Sequence, residues 1–304
     1  MPLNPTDIRL RIVTGKGGVG KTTVACALAL KEVRAGKRVL LCEAKGRART
    51  TEMLGHKPAD STIREVENNL FVVDMNPEDA IQEYALLMLR FKPLYNAVFE
   101  NRLMKTFLRL VPSLGELVML GKIWFHEQEK ESAAPRFDVI IFDAPATGHA
   151  RLMLQTPQVM QTTVPPGPLR ENAKLIQNLL QDRLCTSLHL VTIPEEMPIN
   201  EAIELEQAAR ESLFIHLGTT FINQSIPDLS ATALNEMKAL SDITGLEPLA
   251  TVMKDYAELV EHQNQALLEL PAKMYGNALR LPRILEAKSS RAVIETIANV
   301  LEES

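Results

Sequence analysis

The chain has 304 residues, 46% hydrophobic and 23% charged, which is the balance of a soluble globular protein and excludes a disordered, fibrous or collagen-like chain. A net charge of −5 and an aromatic content of 5% leave little basic field or stacking surface for nucleic acid, so no nucleic-acid partner is expected. There is no signal-peptide core and no uncharged apolar run of about 18 residues, and Cys26, Cys42 and Cys185 are scattered without a Cys-x-x-Cys. The expectation is a reduced, cytoplasmic protein with neither a disulfide framework nor a zinc clamp.

Along the chain, strand and helix patterns alternate. Ile8–Thr14 reads as a strand, and Lys21–Arg34 as a helix stopped by Gly36. Lys37–Cys42 and Leu70–Met75 follow as strands. From Pro77 to about Pro135 no convincing strand occurs; the helical patterns Ala80–Phe91 and Leu94–Leu110 mark a helical insertion at about 77–135. Phe137–Phe142 is apolar without alternation, as a strand covered on both faces requires. The Pro-rich stretch Val164–Pro168 is a loop before a helix at Leu169–Leu184. Leu188–Ile193, His216–Ile222 and Tyr275–Leu281 complete the strands, and Arg291–Leu301 is an amphipathic helix. The reading is a single α/β domain over 1–304, with a mostly parallel, largely seven-stranded sheet flanked by helices, plus the insertion.

The loop between the first strand and first helix carries the chemistry. Gly15-Lys16-Gly17-Gly18-Val19-Gly20-Lys21-Thr22-Thr23 satisfies G-x-x-x-x-G-K-[ST] between a strand and a helix, the context that a phosphate loop needs. Its glycines let backbone N–H groups curl around an anion, and the helix N-terminus adds partial positive charge. Lys21 would reach the β- and γ-phosphates, and the Thr22 hydroxyl would ligate Mg²⁺. Asp143, at the end of the strand Phe137–Phe142, would hold the same ion, through water.

Lys16 is not needed by a plain phosphate loop. A lysine at this second position resembles the deviant Walker A loop of the class containing ParA, MinD, nitrogenase iron protein and ArsA. The run Asp143-Ala144-Pro145-Ala146-Thr147-Gly148-His149, with Leu154-Gln155 and Pro157 beyond it, is similar to the switch D-T-A-P-T-G-H of the family of ArsA and the guided-entry targeting ATPases, with the proline one residue earlier. Phe221-Ile222-Asn223-Gln224 resembles that family's Val-Val-Asn-Gln, where Asn reads adenine, and Leu281-Pro282 resembles a late strand end lining the base pocket. The resemblance implies a P-loop ATPase with ATP and Mg²⁺ as ligands. It places nucleotide binding on Gly15–Thr23, Asn223 and Pro282, the metal on Thr22 and Asp143, and Thr147, Gly148 and His149 in a switch that senses the γ-phosphate. It also implies a nucleotide-sandwich dimer, a homodimer or a heterodimer with a related ATPase, in which Lys16 reaches the partner's nucleotide.

The sequence departs from this pattern in places. It lacks the targeting branch's zinc-holding Cys-x-x-Cys and the arsenite branch's clustered cysteines. The water-orienting Asp of the targeting ATPases falls on Lys45, and Glu43-Ala44-Lys45-Gly46-Arg47 looks like the bacterial Glu-x-Glu-Gly-Arg with its second acid replaced. Candidate catalytic residues are therefore Lys16, Glu43 and Asp143, and slow hydrolysis is expected. The insertion is rich in Leu, Met and Phe from Leu86 to Leu120; these either form core or, as the resemblance implies, a groove for a hydrophobic protein client. Two alternatives stay open. One is a non-hydrolysing nucleotide-dependent scaffold. The other is a ParA/MinD-type positioning ATPase, although the C-terminal Leu301-Glu302-Glu303-Ser304 is acidic where that reading wants a basic tail.

Overall fold

The computed structural model describes residues 8–44, 48–77, 79–80, 114–230, 232–233, 247–271, 274 and 277–304. Seven parallel strands form its sheet: β1 (Leu10–Gly15), β2 (Val39–Ala44), β4 (Leu70–Met75), β7 (Val139–Ala146), β8 (Thr186–Thr192), β9 (Leu217–Ser225) and β10 (Ala278–Pro282). The sheet order is β10-β9-β8-β1-β7-β2-β4-β3, where β3 (Arg64–Glu67) adds an eighth, antiparallel edge strand. Three of its four residues, Arg64, Glu65 and Glu67, are charged and Val66 alone is apolar, which is why no strand pattern marks it in the sequence. Arg291 and His56 pair with its Glu67 and fasten the edge. A hairpin of β5 (Lys130–Glu131) and β6 (Ala134–Pro135) corrects the expectation that no strand occurs before Pro135. Its turn puts Ser132 and Ala133, not Asn-Gly or Asp-Gly, at positive φ, so the usual hairpin signal is missing.

Helices cover both faces. α1 (Lys21–Arg34) and the C-terminal helix α8 (Ser290–Glu303) pack on each other and on one face, with Val24, Leu28, Leu41, Ile141, Ile294 and Ile297 in their core. α3 (Leu114–Gln128), α4 (Thr147–Thr163), α5 (Pro168–Gln181) and α6 (Glu196–Ala208) cover the other face. Short α2 (Arg49–Met53) follows β2, and α7 (Glu247–Leu268) precedes β10. In α3, Leu117, Val118, Met119, Leu120 and Ile123 are buried in the main core, so this part of the insertion is core. The patterns Ala80–Phe91 and Leu94–Leu110, and Lys45, lie outside the described residues apart from Ala80, which is buried. Cys26 and Cys42 are buried apolar-type residues. Among the described residues no helix is long and apolar enough to cross a membrane.

A buried ion network fixes α1 against β1. Arg11 Nη1 donates to Glu32 Oε1 at 2.7 Å, and Lys37 Nζ lies 2.7 Å from Glu32 Oε2. Burial pushes the Glu32 carboxyl up, but Arg11 and Lys37 outweigh it and hold the group below the usual carboxylate range. Removing one partner of such a pair leaves the other uncompensated. Glu32→Ala should cost about 3–5 kcal/mol in urea unfolding, and Arg11→Met with Glu32→Leu should recover most of that loss.

Candidate functional site

The sheet changes winding direction at β1: the chain passes from β1 to β2 on one side, whereas β8 is added on the other. A crevice at the carboxyl ends of such strands is where open α/β sheets bind ligands. The loop Gly15–Thr23 leaves β1 there and enters α1. Its bends have room only for glycine at two points. A Cβ on Gly15 would lie 1.9 Å from the Val191 carbonyl oxygen. Gly20 has φ +92°, and a Cβ there would lie 2.3 Å from Asn223 Nδ2.

Asp143 sits beneath this loop. β7 does not end at Asp143 but runs on to Ala146, because the β1–β7 ladder shifts between Val13 and Gly15 and Pro145 occupies that irregularity. Thr14 Oγ1 donates to Pro145 O at 2.8 Å and ties the two strand ends together. Thr22 Oγ1 donates to Asp143 Oδ2 at 2.7 Å. Asp143 Oδ1 is buried and has no hydrogen-bond partner among the described residues. Burial pushes the Asp143 carboxyl up to about 7, with the Glu43 charge adding to the shift, while Thr22, Lys21 and Arg49 oppose it. An orphaned, buried carboxylate oxygen beside a threonine hydroxyl is the oxygen donor set that a hard divalent cation such as Mg²⁺ takes.

The lysines close the loop. Lys21 Nζ donates to Lys16 O at 3.0 Å, and burial lowers its basicity against the pull of Asp143. Lys16 Nζ lies 2.8 Å from Glu201 Oε1, and Thr147 Oγ1 donates to Glu201 Oε2 at 2.6 Å. His149 Nε2 is 3.2 Å from Glu116 Oε1 of α3, without hydrogen-bond alignment.

Glu43 is in register with Asp143 on one side and Asp74 on the other. Its Oε1 accepts from Arg49 N, and its Oε2 accepts from Thr50 N and Thr50 Oγ1. Asp74 Oδ2 accepts from Ala48 N. Two strand-end acids thus cap the start of α2, where Ala48 has φ +47°. At the other end of the crevice Asn223 Nδ2 donates to Val19 O at 2.9 Å, and Pro282 pairs in register with Ser225. The fold therefore gathers Gly15–Thr23, Asp143, Glu43, Asn223 and Pro282 along one sheet edge. Sequence reading missed Glu201, Asp74, Thr50 and Glu116. The one signal for Glu201 was the apolar spacing Ile199, Ala202, Leu205 that makes α6 a helix leaving the same edge.

The family model for anion-transporting ATPases matches residues 8–165. The chain belongs to the ArsA-type ATPase family. It is similar over 93% of its length to ATPase BagA of Mycobacterium tuberculosis, 28% identical over 316 residues and covering 88% of that relative. An arsenical pump-driving ATPase of Escherichia coli is 24% identical over 268 residues, 85% of this chain and 43% of the relative. An ATPase get3 of Schizosaccharomyces japonicus is 29% identical over 160 residues, 52% and 47% of the two chains. ArsA-type family membership carries nucleotide binding with it, and the matched region contains the loop, Glu43 and Asp143.

The raised Asp143 carboxyl has a pH signature. Unfolded, the group titrates near 3.8; folded, near 7, so the native state binds the extra proton between those values. Its contribution to stability is complete below about pH 4 and is lost as pH rises through 7, by up to about 4 kcal/mol. Urea midpoints of metal-free protein from pH 4 to pH 8 should fall less in Asp143→Asn than in wild type.

Proposed function

We propose that this ArsA-family chain is a Mg²⁺-dependent ATPase that binds ATP on Gly15–Thr23 and uses the nucleotide state to control pairing with a second ATPase subunit and capture of a protein partner. The observation that carries it is the Thr22–Asp143 pair with Asp143 Oδ1 left unpartnered beside Lys21, beneath a glycine loop. Backbone N–H groups and Lys21 would hold the β- and γ-phosphates, and Thr22 and Asp143 would hold the metal. Bound Mg²⁺ supplies charge neutralisation of the phosphates.

Asn223 and Pro282, at the far end of the same edge, would line the base pocket. Thr147 begins the helix that follows Asp143, and His149 in its first turn touches Glu116 of α3. A γ-phosphate that moves this turn would thereby move α3, the described part of the helical insertion and so the route to a hydrophobic client. Lys16, on the loop's exposed side, would reach a partner subunit's nucleotide.

A second reading, a nucleotide-dependent scaffold with slow or no hydrolysis, is favoured by Glu43. Among the described residues every hydrogen bond to its carboxylate comes from the Arg49–Thr50 turn, so as a water-orienting acid it would first have to release α2. Water-positioning and general-base groups are worth about 10²–10⁴-fold, which sets the scale of the rate at stake.

Isothermal titration with Mg²⁺-ATP should show binding that weakens at least about 10-fold in Lys21→Ala. Equal affinity in both proteins would refute the site. Phosphate release by wild type, Lys45→Asp and Glu43→Gln separates the two readings: fast wild-type turnover that collapses in Glu43→Gln makes Glu43 the working acid, and slow turnover raised by Lys45→Asp makes the native site a poor hydrolase. Sedimentation with a non-hydrolysable ATP analogue should show tighter self-association than with ADP; a monomer throughout would leave pairing to a related chain.

A further inference from the structure

Glu201 joins the phosphate loop to the turn after β7 through one carboxylate. One carboxylate oxygen pairs with Lys16 of the phosphate loop at 2.8 Å, and the other accepts from Thr147 at 2.6 Å. These partners come from the loop after β1 and the turn after β7, and the carboxylate comes from α6, after β8. The Lys16 and Glu201 side chains retain 25% and 36% of their exposure. The pair is therefore weak enough to exchange for another anion, and water can solvate either group when it opens.

We infer that Glu201 is a positioning residue that tethers Lys16 within its own subunit and holds the Thr147 turn against it until a γ-phosphate takes the lysine. The inference rests on the proposed reading of Gly15–Thr23 as an ATP site. A lysine ammonium bonded to Glu201 is not free to bond a phosphate, so ATP and Glu201 compete for it. When Lys16 leaves, Thr147 keeps a carboxylate that no longer has its cation, and the turn after Asp143 loses its link to the loop. One exchange of ionic partners thus reports phosphate occupancy to the helix that carries His149. ADP lacks the phosphate that competes, so in its presence the tether stays closed.

The test compares affinities for the non-hydrolysable analogue AMP-PNP with Mg²⁺ and for ADP with Mg²⁺, by titration calorimetry, in the full chain. Glu201→Gln keeps an acceptor for Thr147 but loses the charge that holds Lys16. It should bind AMP-PNP about two- to five-fold more tightly, the scale of a partly exposed ion pair, with ADP affinity unchanged. Glu201→Asp keeps the charge but is one methylene too short to span both partners, and should behave like Glu201→Gln. In a Lys16→Ala background the gain from Glu201→Gln should vanish, and in wild type it should shrink as salt is raised.

Equal AMP-PNP affinity in wild type and Glu201→Gln overturns the tether. So does a wild-type-like Glu201→Asp, or a gain that persists in Lys16→Ala, since either would mark a through-space effect of removing a negative charge near the phosphates. A gain equal for ADP and AMP-PNP also overturns it, as a general change of the site. Failure of wild type to bind either nucleotide would overturn the underlying reading as well; binding lost in Lys21→Ala separates the two cases.

Discussion

The arrangement at the sheet edge depends on one buried carboxylate. Asp143 is taken out of water by β1, β2 and the glycine loop, and a single hydroxyl, that of Thr22, satisfies one of its two oxygens. Burying an ionised carboxylate with an open oxygen is unfavourable unless a proton or a cation completes it. The strand that carries it must therefore be rigid, and β7 is: it lies between β1 and β2 with Ile140, Ile141 and Phe142 buried. The Pro145 irregularity just beyond then turns the chain toward Thr147 without breaking the strand.

Two neighbouring acids meet the same difficulty differently. Glu43 and Asp74 stand in register with Asp143 across β2 and β4, equally buried. They are satisfied by three consecutive backbone N–H groups, those of Ala48, Arg49 and Thr50. Of three adjacent strand-end acids, two are consumed in shaping a turn and one is left with an open oxygen. That division, and not the mere presence of carboxylates, leaves Asp143 as the acid with an oxygen open to a proton or a cation.

Much of this was legible from residue order. α1 begins at Lys21 and ends at Arg34 as read, because Gly20 and Gly36 mark both ends in local sequence. The seven parallel strands follow from apolar runs that need cover on both faces. What stayed illegible depends on partners distant in sequence. The start of α2 is set by acids on β2 and β4, so nothing within Arg49–Met53 announces it. Glu201 is one of many glutamates in the chain, and only the fold brings it within reach of a lysine 185 positions earlier, the separation of Lys16 and Glu201. β3 escaped because an edge strand can be charged on three of its four residues and still pair.

The Arg11–Glu32–Lys37 network makes the two faces of the sheet mechanically unlike. On its side, α1 is clamped to β1 by buried charge and to α8 by close apolar packing, so the helix that begins at the phosphate loop is a fixed abutment. On the other side α4 and α6 are joined to the loop through Thr147, Glu201 and Lys16, polar groups that can trade partners without opening the core. The loop between β1 and α1 is thus held by buried charge on one face of the sheet and by exchangeable polar contacts on the other. Beyond that joint α4 packs on both α5 and α3, so the polar contacts at the loop connect to two helices of this face and not to the clamped one.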